Sequence, residues 1–319
     1  MPGLPGFLSK GGESFFMIID THCHYNLEPL LTSNEKEKVQ VGWKEKDGYD
    51  VFEYVETWEQ HLKKAVEAGI KKTIVVGTNF ISSRVAIDLS EKSPHLFATV
   101  GYHPHEYQDI DFAQSYDEHQ NELTTNMEEL SFLITEKVVA VGETGLDYFR
   151  LPEKDRETEI IKKLQKKSFE KQIQLSIQYN LPVIVHVRDK EALEKKTEGN
   201  AYWDALKILQ ELNVKKFVLH CASGPLSYIK EAVEMGGYMG FDGNISYPNA
   251  EHIREIFKIV PKDRRVVETD APYLPPQEYR GKTCEPWMIV KTVEYIEQTF
   301  KIERASFYEN SLRLFKLDA

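Results

Sequence analysis

The chain has 319 residues, and 40 Lys+Arg against 51 Asp+Glu give a formal net charge of −11 at pH 7. A composition of 41% hydrophobic and 29% charged residues excludes a disordered chain, and no apolar run approaches the roughly 18 residues that a membrane span needs. The acidic balance excludes broad electrostatic binding along a nucleic-acid backbone, which rests on many Lys and Arg, but leaves open a phosphate held by metal ions at one point.

Residues 1–16, MPGLPGFLSKGGESFF, lack a basic start and a continuous apolar core, so they read as a loose leader and not as a secretory signal. The three cysteines, Cys23, Cys221 and Cys284, form no C-x-x-C pair. This argues against a disulfide scaffold and a thiolate zinc site, and points to a reducing, cytoplasmic setting. Cys23 and Cys221 read as buried small apolar residues.

Short β-branched runs then recur along the chain at Met17–Ile19, Thr73–Val76, Phe97–Val100, Val138–Val141, Val183–Val185, Phe217–Leu219, Tyr238–Phe241 and Val266–Val267. Helical spacing fills the intervals, as in the stripes Trp58, Leu62, Ala65, Val66 and Ile160, Ile161, Leu164, Ser168, Ile173. Stop signals precede several strands: Ala68-Gly69, Asn180-Leu181-Pro182 and Met235-Gly236-Gly237. Eight strand–helix units in alternation imply a parallel sheet, and the number eight implies an α/β fold of one closed (β/α)₈ TIM barrel over residues 17–319. No repeat, low-complexity tract or linker divides it.

Polar residues gather where these strands end. The first runs into Asp20-Thr21-His22-Cys23-His24, the third into Gly101-Tyr102-His103-Pro104-His105, and the fourth into Gly142-Glu143-Thr144-Gly145-Leu146-Asp147. The fifth ends in His186-Val187-Arg188-Asp189, the sixth in His220-Cys221-Ala222-Ser223-Gly224, and the eighth in Glu268-Thr269-Asp270-Ala271-Pro272. Barrel enzymes place their catalytic groups on this carboxyl-end face. Strand alternation points His22 and His24 one way and Cys23 the other, which suits two imidazoles on one metal. An isolated histidine is commonly a core or surface residue, and His105 reads as a loop histidine. Convergence of so many ligand types on one rim favours a metal site.

In this order, DTHCHYN, VGYHPHE, VGETGLDY, LPVIVHVRD, LHCASG and VETDAPYL resemble the TatD family of metal-dependent hydrolases, a branch of the amidohydrolase-like barrels. The tail ENSLRLFKL is similar to the family's closing helix. The resemblance implies two divalent ions (zinc, manganese or magnesium), with His22, His24 and Asp270 on one, His186 and His220 on the other, and Glu143 bridging both. It implies that His103 contacts substrate phosphate, places Arg188 in the matching His-x-Arg-Asp segment, and makes nucleic acid, DNA or RNA, the substrate of a deoxyribonuclease or exonuclease. Chemistry supports such a pair, since two close cations clamp a phosphodiester and acidify water, and a carboxylate between them offsets their repulsion. Asp270 is placed to take the water's proton, and Arg188 either grips phosphate or partners Asp189 or Glu143.

Departures from the family pattern are Asn26 where Asp is common, Cys284 where Asn is expected, and Ala222 where an aromatic is frequent. The segments Glu28–Tyr54, Gln108–Thr125, Leu151–Glu159 and Glu191–Ala201 read as long rim loops, where substrate choice is made. The tract Lys162-Lys163…Lys166-Lys167 reads as a solvated face. Two other functions fit the barrel: a lactonase, phosphotriesterase or amidase, whose relatives often bridge their metals with a carbamylated lysine where this chain has Glu143, and an idle scaffold. No membrane or obligate protein partner is expected, and the monomer is the default.

Overall fold

A computed structural model describes residues 17–32, 38–44, 49–54, 56–108 and 110–318, so the expected leader 1–16 lies outside the described residues. In chain order the elements are β1 (Ile18–Cys23), β2 (Lys38–Lys44), β3 (Tyr49–Tyr54), α1 (Trp58–Glu67), β4 (Ile70–Val75), α2 (Phe80–Lys92), β5 (Leu96–Val100), α3 (Tyr116–Phe132), β6 (Val138–Asp147) and α4 (Asp155–Tyr179). There follow β7 (Val183–Arg188), α5 (Ala201–Glu211), β8 (Phe217–Leu219), α6 (Leu226–Glu234), β9 (Tyr238–Phe241), α7 (Glu251–Ile259), β10 (Arg265–Val267), α8 (Ile289–Phe300) and α9 (Ala305–Phe315). Eight strands form one parallel sheet in the order β1-β4-β5-β6-β7-β8-β9-β10. Cys23 pairs with Ala271 just past β10, with His24 N–H donating to Ala271 O at 2.8 Å, so the sheet curls into a nearly closed barrel. The buried Asp20 carboxylate ties the same seam by accepting from the Thr269 N–H at 2.9 Å and its hydroxyl at 2.6 Å.

Local chemistry sets the helix ends. Thr57 with Gln60, Asn79 with Ser82 and Ser115 with Glu118 form reciprocal caps at the starts of α1, α2 and α3. Asn180, at φ 52°, closes α4 in the left-handed region, where the sequence signals a stop. Among the described residues no helix is long and apolar enough to cross a membrane.

Between sheet and helices, Phe169, Ile173, Leu206, Phe217 and Phe257 are buried in one cluster. A second cluster joins Ile19, Ile74, Ile184, Val218 and Val266 to Tyr308, Leu314 and Phe315 of α9. The Asn310 amide donates to Lys262 O at 2.9 Å and Arg265 O at 2.8 Å, and Lys316 Nζ reaches Asn180 O at 2.8 Å. Those acceptors lie at or before the starts of β10 and β7, so α9 closes the amino end of the barrel.

Several expected boundaries move. β6 runs on through Glu143 to Asp147 and β7 through His186 to Arg188, so these polar residues sit in paired strand and not in loops. The segment 28–54 holds the antiparallel β2–β3 hairpin. Much of Gln108–Thr125 and Leu151–Glu159 is helix, because α3 starts at Tyr116 and α4 at Asp155. Three lysines of the α4 tract are engaged, since Lys162 donates to Gly199 O at 2.9 Å, Lys166 pairs with Asp204 at 2.6 Å and Lys167 with Glu170 at 3.2 Å, while Lys163 is exposed.

Candidate metal centre

Six strand ends bring their polar side chains to one buried cluster at the carboxyl mouth. A register shift falls between Asp20 and Cys23 in the last residues of β1, where His22, and His24 just after it, face the centre while Cys23 packs with Tyr25, Val75 and Ala271. β6 delivers Glu143, and its Gly145 has no alternative. At φ 142° it is outside the range of ordinary side chains, and a Cβ there would lie 2.0 Å from His186 O on β7. β7 delivers His186. His220 follows β8, and Asp270 follows β10 with φ 56°, a conformation a non-glycine residue holds only when its surroundings impose it.

Glu143 stands in the middle, 3% exposed. Its Oε2 lies 3.3 Å from His22 Nε2 and 3.8 Å from His24 Nε2, and Asp270 Oδ1 lies 3.7 and 3.5 Å from the same two nitrogens. Its Oε1 faces the other way, 3.0 Å from His186 Nδ1, 3.7 Å from His220 Nε2 and 3.4 Å from His103 Nε2. One carboxylate therefore turns each oxygen toward a different set of imidazoles, and three-residue groupings of potential ligands form on both sides of it.

The outer nitrogens fix which inner nitrogen carries a lone pair. His24 Nδ1 lies 3.1 Å from Val76 O, which only accepts, so the proton is on Nδ1 and Nε2 is bare. His186 Nε2 faces Asp147 Oδ2 at 3.1 Å, leaving Nδ1 to the centre, and His220 Nδ1 faces Glu268 Oε1 at 3.0 Å, leaving Nε2. Carboxylate and carbonyl partners of this kind orient metal-binding histidines. His103 is wired in reverse. Its Nδ1 accepts the His105 N–H at 3.0 Å, so Nε2 carries the proton and presents a donor.

Burial would raise the Glu143 pKa, but His103 and His22, with hydrogen bonds from His103 and His186, hold it well below the usual carboxylate range. Burial, aided by His186 and His105, pushes His103 down to about 4 despite Glu143, so its ring is neutral at pH 7. Burial works against protonation of His220 as well, yet Glu268 and Glu143 outweigh it and raise the ring to about 10. Glu143, Asp147, Glu268 and Asp270 are all buried, and among the described residues no Lys or Arg forms an ion pair with any of them. Buried carboxylates need balancing charge. His24 Nε2, His186 Nδ1 and His220 Nε2 are aimed between them and can exchange a proton for a metal ion, so this donor set fits divalent cations.

A profile described as "TatD related DNase" matches residues 19–316. The chain belongs to the TatD family. It is 30% identical over 308 residues to the uncharacterized metal-dependent hydrolase YabD of Bacillus subtilis (strain 168), covering 95% of this chain and 100% of that one. It is 31% identical over 313 residues to the uncharacterized metal-dependent hydrolase YcfH of Escherichia coli (strain K12), covering 95% and 97%. The crystal structure of YJJV, a TatD homolog from Escherichia coli K12, superposes with a TM-score of 0.67 at 24% identity, covering 94% of this chain and 98% of that one.

The TatD-type motifs contain two residues whose place sequence reading left unassigned, Asp147 and Glu268. Asp147 lies four positions from Glu143 on β6, where the period-two alternation of a strand is a signal for the same side, whereas Glu268 and Asp270 follow β10 and carry no such signal. Asp147 also accepts from His105 Nε2 at 2.8 Å, so His105 is not a free loop histidine but shares the partner of His186. Arg188 lies apart from the cluster. Its guanidinium stacks over the Phe149 ring at 3.9 Å, and it forms no ion pair with Glu143 or Asp189 among the described residues. Asp189 instead accepts the Ala201 N–H at 2.7 Å.

Among the departures from the TatD pattern, Asn26 donates to Val76 O and Ser82 O, both at 2.9 Å, and so braces the carbonyl that orients His24. Cys284 is buried beside Thr269 O at 4.0 Å. Cys221 is only half-buried, contrary to its reading as a core residue. It adopts φ 47° so that its N–H donates to Glu268 Oε1 at 2.6 Å.

Proposed function

We propose that this chain is a TatD-type nuclease that hydrolyses phosphodiester bonds with two divalent ions sharing Glu143. The supporting observation is the division of that carboxylate, whose Oε2 faces His22 and His24 while Oε1 faces His186 and His220. His22, His24 and Asp270 would hold one ion, and His186 and His220 the other. Four imidazoles with two carboxylates favour zinc or manganese over magnesium, whose preferred donors are oxygens. When bound, such a pair supplies Lewis acidity to the phosphoryl oxygens and acidifies a water.

The chain's own residues do the rest. Glu143 stays ionised and offsets the repulsion between the two like charges. Asp270 receives the proton of the attacking water. His103, neutral and protonated on Nε2, donates a hydrogen bond to a non-bridging phosphate oxygen and does not compete for a cation. Arg188, held flat against Phe149 at 3.9 Å, presents a planar fork to a neighbouring phosphate. Three free cysteines fit action in the cytoplasm.

The test is digestion of 5′- and 3′-labelled DNA and RNA oligonucleotides by the metal-reconstituted chain, with metal analysis of the same preparation. Cleavage abolished by chelator and by Glu143→Ala, with the variant still folded, is the expected result. A metal-loaded chain that cleaves none of these oligonucleotides overturns the nuclease assignment.

A further inference from the structure

A second pocket of ≈ 320 Å³ opens next to the metal centre, between α2, α3, α4 and the turn Pro104–Tyr107. It belongs to the same mouth. Its wall includes Asn79, beyond β4, and Tyr102, beyond β5, and Tyr102 is joined directly to His103, whose Nε2 faces Glu143 at 3.4 Å. Tyr102 and His103 are consecutive just beyond β5, so one segment of chain supplies both the pocket wall and the imidazole that faces Glu143.

The wall has an unusual group. His119 on α3 is 6% exposed, and neither of its ring nitrogens has a hydrogen-bond partner among the described residues. A buried polar group left unpaired costs stability, so an imidazole lining a cavity in this state is short of a partner among the described residues. Around it stand Glu106 and Glu122, and no Lys or Arg lines the pocket. Phe80, Tyr102 and Leu123 supply the apolar and aromatic surface.

Each feature narrows the occupant. Two carboxylates and no cation reject a phosphate. His119 belongs to none of the metal-capable groupings among the described residues, which rejects a third ion. Aromatic rings accept a planar heterocycle by stacking, and an acceptor-rich rim selects one that carries hydrogen-bond donors. The volume lies at the small end of the about 300–1,000 Å³ typical of ligand sites, enough for one ring system. We infer that this pocket receives the base of the nucleotide flanking the scissile phosphate, and that it prefers the bases with an exocyclic amine, adenine, cytosine and guanine, over uracil and thymine. His119 reads the base edge and Glu122 accepts from its amino group. This inference rests on the phosphodiester reading of the metal centre.

Calorimetric titration of the full chain with adenosine, cytidine, uridine and thymidine tests it, because nucleosides lack the phosphate that the metal centre would hold. The expected result is binding of adenosine and cytidine at least ten-fold tighter than of uridine and thymidine. His119→Leu should lose at least ten-fold in affinity for adenosine while melting no lower than wild type, since an unpaired buried imidazole has been replaced by an apolar side chain. Glu122→Lys, on the exposed face of α3, should weaken adenosine binding by a similar factor. Absence of nucleoside binding, or equal affinity in both variants, overturns the inference even if oligonucleotides are cleaved. Selective binding that both variants abolish, in a chain that cleaves no oligonucleotide, upholds the pocket and sinks the nuclease reading alone.

Discussion

At the amino end of the barrel, Leu314 and Phe315 of α9 pack on Ile19, Ile184 and Val266, and the Asn310 amide satisfies two backbone carbonyls at 2.9 and 2.8 Å. At the carboxyl end, the same strands bury Glu143, Asp147, Glu268 and Asp270 among histidines, with Asp270 and Cys221 in left-handed backbone. One end follows the rules that make a fold stable; the other departs from them and carries a concentration of negative charge. A barrel tolerates the second because the first, with the helix–sheet core, supplies the stability. The division assigns stability to one set of residues and chemistry to the other, and substitutions can break it.

The largest effect is expected at Glu143. Glu143→Gln should lower kcat/KM on oligonucleotides by at least about 10³-fold, the scale of losing an electrostatic group from a transition state. Its melting temperature should fall only slightly, because the amide keeps the shape and loses just the imidazole interactions that hold the Glu143 pKa low. A parallel loss of stability and activity would show that the mouth is part of the structural core. Phe315→Ala should do the reverse, destabilising the chain by about 3–5 kcal/mol through transfer and cavity costs while leaving kcat per folded molecule unchanged at low temperature. Denaturant melts paired with activity measurements separate the two.

A smaller effect is expected one layer out from the centre. Asp147→Asn and Glu268→Gln keep the shape but remove the anion that holds His186 and His220 in their tautomers, so metal affinity should fall by about 10–100-fold. Titration with a competing chelator measures it, and unchanged affinity in both variants would leave these carboxylates without an orienting role.

The smallest is a pH effect outside the metal centre, where Glu285 meets His61 at 3.4 Å and Lys64 at 3.0 Å. Burial raises the Glu285 pKa, but hydrogen bonds from His61 and Lys64 outweigh it and bring it from 4.5 to about 2. Because the folded pKa is the lower one, the stabilisation is present above pH 4.5 and is lost as pH falls toward 2. The difference in melting temperature between wild type and Glu285→Gln should therefore shrink between pH 6 and pH 2.5, and a constant difference would contradict the assignment.

The fold was legible because its signals are local and repeated. The strands of the barrel begin as short apolar runs, most of them β-branched, and Asn180 and Gly236 stop their helices for backbone reasons visible in one residue. The antiparallel β2–β3 pair went unread although alternating runs at Lys38–Lys44 and Tyr49–Tyr54 mark both strands in the sequence. The inward carboxylate Asp147 needed the true length of β6 before alternation could assign it a side, and Glu268, just past β10, is placed by its contacts with His220 and Cys221. The inverted tautomer of His103 depends on a backbone N–H two residues away, and sequence carries no mark of it. His119 is a similar case. In sequence it is one polar residue on an acidic helix, and only the packing of α3 against α2 and α4 leaves its nitrogens without partners among the described residues.

The division of Glu143 can be tested by anomalous scattering from crystals of the chain soaked in zinc or manganese. Two peaks per chain are expected, one among His22, His24 and Asp270 and one beside His186 and His220, with a Glu143 oxygen on each. A single peak, or a pair that leaves Glu143 without contact to either, would contradict it.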